Sequence, residues 1–536
     1  MTAKRLALLA AIMGSFVAGL DASAVNVALP SISADLGGGL AGQQWVANAY
    51  LLALGSLILV GGSLGDLLGE RRMFVLGVSG FGVVSVLCAA APSIEVLIAC
   101  RALQGVFGAL LTPSSLAVIV SAFPQRERGA AIGSWTAWAG IATVVGPLAG
   151  GYLVDAASWR WIFAINVPFV AIAVTLVLRA VPARDPGRAR VPVDWAGAGL
   201  CVLGLAGPVL ALIRQPASGW GAPDVLIPGL AGLALLGAFL AWEARAEHPM
   251  LPLSLFRRRN FAVGNAQTFA MYGGLGATFF FLVLFLQQVA GYAALQAGVA
   301  TLPTTIIMFS LSKRAGRLAD RHGPRLFMGL GPIVAAAGLA LMLRLDAGLD
   351  YWTDLFPALL LFSLGLSATV APLTATVLAD ADERNAGIAS GVNNAVARVA
   401  GLLTVAALGA VGAASFTASV DRGLDGRRLD PQAQRVVQEA KRRTLARADT
   451  GALPGPEGAA VASAVTDAAV HAFRLGIGIA AGLVALGGLL GLAGIVNPRR
   501  VVRCEDCPGG QLAGQPADAA RDPLPAVALP ARPRTA

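Results

Sequence analysis

Asp21, Arg101 and Arg398 are ionisable residues set inside long apolar runs, with Arg474 near the edge of another. A charge in hydrocarbon surroundings is costly, so such residues are functional candidates by default. A carboxyl group beside a guanidinium can bind a proton in one conformation and release it in another, because its surroundings decide which form is favoured. If the runs are helices of alternating direction, Asp21 stands fifteen residues past Leu6, about 22 Å from its starting face. Arg101 stands seven residues past Ile94, about 10 Å from the opposite face. Across a core of about 30 Å the two depths nearly coincide. Asp21 and Arg101 are therefore expected to line one cavity as a proton-coupling pair, with a static ion pair as the alternative. Arg398 has no evident partner and reads equally as a cavity residue or a helix anchor.

The elements that must position these residues are membrane helices. Of 536 residues, 56% are hydrophobic and 13% charged, and the mean hydropathy is +0.71. A soluble domain of this length carries far more charge. The net charge of +10 is scattered between apolar runs, which argues for membrane topology and against nucleic acid. Runs near twenty apolar residues fall at 6–29, 44–65, 73–91, 94–122, 131–154, 160–180 and 195–213. They continue at 224–243, 261–289, 297–312, 327–345, 355–379, 387–414 and 473–496. With the N-terminus inside, twenty-three Lys and Arg residues fall in short inner segments, against Arg160, Arg214 and Arg344 in short outer loops. That asymmetry predicts cytoplasmic termini. Ala22-Ser-Ala24 after Lys4-Arg5 resembles a signal-peptide cleavage site, but the thirteen further spans favour an uncleaved helix.

A motif repeats 254 positions apart: Gly62-Ser-Leu-Gly-Asp66-Leu-Leu-Gly69-Glu-Arg71 and Gly316-Arg-Leu-Ala-Asp320-Arg-His-Gly323-Pro-Arg325. The copies are eight spans apart, so two homologous six-helix halves with spans 7 and 8 inserted give fourteen. The expected divisions are an N-terminal bundle at 1–180 and linkers with the inserted pair at 181–260. A C-terminal bundle follows at 261–497, including a charged outer loop at 415–472, and then a disordered cytoplasmic tail at 498–536. The outer loop is read as a flexible cap or a partner site.

Other chemistries are poorly served. Lys4, Lys313 and Lys441 do not follow glycine, so no phosphate-cradling Gly-Lys-Ser/Thr exists. His248, His322 and His471 are far apart, and no metal site is expected. Gly61-Gly-Ser-Leu-Gly65 fits a hydrolase elbow but merely closes an apolar run. Cys504 and Cys507 form a lone C-x-x-C in the tail. An enzyme or a receptor is disfavoured.

Several blocks resemble the major facilitator superfamily, and within it the fourteen-span drug:proton antiporters of the EmrB/QacA type. They are Leu20-Asp21-Ala-Ser-Ala-Val-Asn26-Val-Ala-Leu-Pro30, Trp45-Val-Ala-Asn-Ala-Tyr50, Arg101-Ala-Leu-Gln104-Gly105 and Gly146-Pro147-Leu-Ala-Gly150-Gly151. Two more are Trp159-Arg-Trp-Ile-Phe-Ala-Ile-Asn166-Val-Pro168 and Ala389-Ser-Gly391-Val-Asn-Asn394. Leu67 and Glu70 depart from the usual loop pattern. The resemblance implies an all-α membrane fold and export of lipophilic, often cationic drugs in exchange for protons. A dedicated exporter of one metabolite or self-made antibiotic is the alternative. It implies Gly146, Pro147, Gly150 and Gly151 as an antiporter motif, and the repeated motif as gates. Asp66 should face the start of span 13 near Gly387, and Asp320 the start of span 5 near Ala130, latching the outward-open state. Asn26, Gln104, Trp138, Asn265, Phe269, Tyr272, Asn394 and Arg398 are the expected cavity residues. No cofactor is expected beyond the proton gradient. The expected setting is a monomer in the bacterial cytoplasmic membrane, with a periplasmic adaptor held open as a partner.

Overall fold

The computed structural model describes residues 3–182, 193–379, 386–427, 429–442, 453 and 455–497. The expected tail at 498–536, with Cys504 and Cys507, lies outside them. Each apolar run forms a helix, because in hydrocarbon only a helix or a closed barrel satisfies its own backbone polar groups. The first bundle comprises α1 (Ala3–Leu36), α2 (Gly39–Leu68), α3 (Glu70–Ala89), α4 (Ile94–Ala122) and α5 (Gln125–Ala156). A broken sixth span follows as α6 (Trp161–Ala164) and α7 (Asn166–Ala180). The inserted pair is α8 (Trp195–Ser218) and α9 (Pro223–Glu243). The second bundle comprises α10 (Arg259–Leu284), α11 (Ala294–His322), α12 (Pro324–Leu341), α13 (Phe356–Ala379), α14 (Ala386–Leu424) and α16 (Pro456–Gly494), with α15 (Pro431–Arg442) before its last helix. Among the described residues, thirteen helices are long and apolar enough to cross a membrane, and α5 adds a shorter apolar stretch, Ile141–Ala156.

The motif copies form matched turns. Gly69 joins α2 to α3 at φ 91°, and Gly323 joins α11 to α12 at φ 89°. Side chains with a Cβ rarely adopt that left-handed backbone. After each turn an arginine reaches the last turn of its bundle's final helix. Arg71 donates to the Leu178 carbonyl at 3.3 Å, and Arg325 to the Leu492 carbonyl at 2.6 Å. A cation suits the free carbonyls and negative dipole at a helix C-terminus.

The inserted helices lie beside the bundles. Val209 and Ile213 of α8 pack on Leu402 and Ala406 of α14, with Leu51 and Leu52 of α2 beside them. Helix α9 packs on α8 and exposes Ile227, Leu230 and Leu233, as a face turned to lipid would.

The described part of the expected outer loop at 415–472 is largely helical. Helix α14 runs to Leu424, α15 occupies Pro431–Arg442, and α16 begins at Pro456. Its polar residues end the hydrophobic signal but do not end the helices, which continue past the apolar core.

Candidate functional site

Asp21 sits midway along α1 and is fully buried. Burying a carboxylate and a guanidinium costs several kcal/mol per ion unless hydrogen bonds compensate, and here they do. Arg101 Nη1 lies 2.5 Å from Asp21 Oδ2. Gln104 Nε2 donates to Asp21 Oδ1 at 3.0 Å, and Asn166 Nδ2 donates to the same oxygen at 3.1 Å. The guanidinium also donates to Gln104 Oε1 at 2.5 Å and to the Val46 carbonyl of α2 at 3.2 Å. It lies 4.5 Å from the Tyr50 ring centroid and 5.8 Å from that of Phe163, within cation–π range.

Ser85 of α3 ties the outer part of this cluster. It accepts from Gln104 at 2.9 Å and from Asn166 at 3.3 Å, and donates to the Phe81 carbonyl at 2.8 Å. Asn166 is the first residue of α7. The break between α6 and α7 sets its amide toward Asp21. Five polar side chains from four spans thus form one dry network, each no more than 1% exposed.

This corrects two expectations. Asp21 and Arg101 do meet, but they are sealed inside the first bundle and line no open cavity in this conformation. Gln104, expected in the cavity wall, belongs to the same sealed network because both ends of its amide are engaged. Ser85 had not been singled out, and Asn166 and Tyr50 stood inside quoted blocks without an assigned role.

The other expected cavity residues divide. Asn265 is buried, donating to the Phe261 carbonyl and accepting from Asn393 at 3.2 Å, so it too is engaged within its bundle. Asn26 and Tyr272 are half-buried. Trp138 of α5, Phe269 of α10 and Asn394 of α14 are exposed. Arg398 of α14 is half-buried, and its Nε has no hydrogen-bond partner.

The expected antiporter glycines serve two faces of α5. A Cβ on Gly146 would strike the Ser23 hydroxyl, and one on Gly150 would meet Ala24 at 2.9 Å, both on α1. A Cβ on Gly151 would strike the Leu295 backbone of α11 at 2.5 Å, and Gly298 of α11 lies against the Pro147 carbonyl. Bundle thus meets bundle at the end away from the motif turns. Gln44 of α2 donates to the Val405 carbonyl of α14 at 2.7 Å, and Gln287 donates to the Val27 carbonyl of α1 at 2.9 Å. Toward the motif end, Trp138 on α5 and Ile306 and Ser310 on α11 are exposed.

Of the expected gates, Gly62 and Gly316 are half-buried and Asp320 is exposed. Asp320 makes no hydrogen bond or ion pair with a described residue. The side chains of Asp66, Ala130 and Gly387 lie outside the described residues, so neither expected latch is described.

Two helical bundles, a repeated turn and a buried ion pair describe a transporter scaffold. The family model of the Major Facilitator Superfamily matches residues 11–405. The chain belongs to the Major Facilitator Superfamily. It is a multi-pass membrane transporter and not an enzyme. It is similar to the puromycin resistance protein pur8 of Streptomyces alboniger, 39% identical over 401 residues that span 73% of this chain and 78% of that protein. It is also similar to the tetracenomycin C resistance and export protein of Streptomyces glaucescens, 34% identical over 496 residues and 89% of each chain. Its fold is similar to that of a bacterial homologue of the human lysosomal transporter Spinster, with TM-score 0.61, 15% identity, and 93% and 99% of the two chains covered.

Proposed function

We propose that this chain exports lipophilic drugs, antibiotics or other toxic compounds across the bacterial cytoplasmic membrane in exchange for protons, by alternating access. The resistance and export names of its relatives support the cargo class. The observation that carries proton exchange is the Asp21–Arg101 pair, 2.5 Å apart and buried within membrane-spanning helices. In this reading the paired state is the deprotonated one. A proton arriving from outside neutralises Asp21 and frees Arg101 to rearrange against Gln104 and the Val46 carbonyl. With both termini cytoplasmic, the end sealed by Gly151, Gly298 and Gln44 is the outer one, and the state described faces inward. The driving force is adequate, since one charge crossing 100 mV yields about 2.3 kcal/mol.

The test is substrate-induced proton movement in everted vesicles, with native protein and Asp21→Asn compared across lipophilic dyes. Flux with several dyes, lost in the variant, supports multidrug antiport. A response to none, from folded and inserted protein, removes the multidrug reading and favours a dedicated exporter of one endogenous compound. That second reading is supported by the tetracenomycin relative, whose name pairs resistance with export.

A further inference from the structure

Three ionisable groups stand deep within the apolar runs of the described helices, Asp21, Arg101 and Arg398, with Arg474 near the edge of the run in α16. Two of them cancel through their ion pair. Arg398 is left over. It stands twelve residues into α14, about 18 Å along that helix, and its Cβ packs against Gly55 of α2. It pairs with no carboxylate among the described residues, and its Nε is buried without an acceptor.

Its surroundings suit a ligand better than lipid. Helices α2 and α10 both pack against α14, and their phenols Tyr50 and Tyr272 come close to the guanidinium. Asn394, one turn earlier on α14, is exposed, and so is Phe269, three residues before Tyr272. Residues three or four apart share a helix face, so both helices turn polar or aromatic groups toward the space beside Arg398. An unpaired guanidinium there makes the interior net positive. Cations are repelled, while an acidic group supplies the missing acceptor. A planar guanidinium is also well matched to a carboxylate.

We propose that Arg398 is the counter-charge for an acidic group on the exported compound. The favoured cargo is an aromatic molecule bearing a carboxylate or an ionised phenol, its rings set against Phe269 and Tyr272. This rests on the export reading and reverses the cationic preference expected from the family resemblance. The physical reason is that Asp21, the acid a cation would seek, is already occupied by Arg101, Gln104 and Asn166.

The test uses purified full-length protein and two dyes with one xanthene core, anionic fluorescein and cationic rhodamine 123, with binding followed by fluorescence polarisation. Fluorescein should bind the native protein more tightly. Arg398→Gln should weaken fluorescein at least about tenfold and leave rhodamine 123 unchanged or tighter, while Arg398→Lys keeps most of the preference. Arg398→Met carries the same expectation if the glutamine variant does not fold. A native preference for rhodamine 123, no fluorescein binding, or an unchanged dye ratio in the uncharged variant overturns the proposal. Protonophore-sensitive dye efflux from cells separates the two readings. Efflux with an unchanged ratio removes the Arg398 assignment and leaves export standing. Fluorescein bound through Arg398 but never exported does the reverse.

Discussion

The Asp155 carboxylate, at the end of α5, accepts the backbone N–H of Leu295 at 2.8 Å in the first turn of α11. It also accepts that of Ala294 at 3.2 Å. A carboxylate from one bundle thus caps a helix of the other, where free N–H groups and the helix dipole favour negative charge. The arrangement is what the sequence reading expected of Asp66 and Asp320, but it occurs at the opposite end.

Asp155→Ala should therefore weaken that seal. The loss of a helix cap, about 0.5–2 kcal/mol, should shift the conformational equilibrium toward opening between Gly151 and Leu295. Spin labels on the ends of α5 and α11 should report a longer mean separation. An unchanged distance distribution would show that the glycine contacts hold this end alone.

The buried network makes a cycle of variants informative. Arg101→Met should destabilise the protein by about 3–5 kcal/mol, because it leaves Asp21 buried without its cation. Adding Asp21→Asn should recover much of that loss. Thermal unfolding in detergent checks both, and equal melting temperatures for the single and double variants would contradict the idea.

The two faces of α5 should fail differently. Gly146→Val drives a side chain into Ser23 within one bundle and should lower thermal stability. Gly151→Val wedges α5 from Leu295 across bundles and should increase labelling of cysteines placed at that end, with a smaller loss of melting temperature. Similar profiles for both variants would argue against separate roles.

Asp350 offers a pH readout outside the spans. Hydrogen bonds, first from the Thr353 backbone and then from its side chain, hold its carboxyl below the ordinary carboxylate value. A lowered value means that the stabilisation is present above about pH 4 and is lost as pH falls through the lowered value. Asp350→Ala should thus lower the melting temperature at pH 7, with the gap to native protein narrowing below about pH 4. A gap constant from pH 7 to pH 3 would mean that the ionised side chain contributes nothing.

The meeting of Asp21 and Arg101 was legible because helix rise converts sequence distance into depth, and ionisable residues stand out in apolar runs. Ser85 was not, since a serine in an apolar helix can satisfy itself on the carbonyl four residues back, as it does on Phe81. Asn166 depends on the break at Ile165, which hydropathy does not register. The repeat identified Gly69 and Gly323, yet the matching bonds from Arg71 to Leu178 and from Arg325 to Leu492 need the final helix of each bundle in place. The helices within the described part of 415–472 were not legible, because polarity ends an apolar run without ending a helix.

The near-zero exposure of Asp21 and Arg101 also bears on the organism's energy economy. A carboxylate reachable by water from both sides would act as a wire and drain the gradient whether or not cargo was aboard. Held dry behind Gln104, Ser85 and Asn166, it is insulated. On the proton-exchange reading, an idle copy of this transporter costs the cell no leakage current, and many copies can stand ready in one membrane.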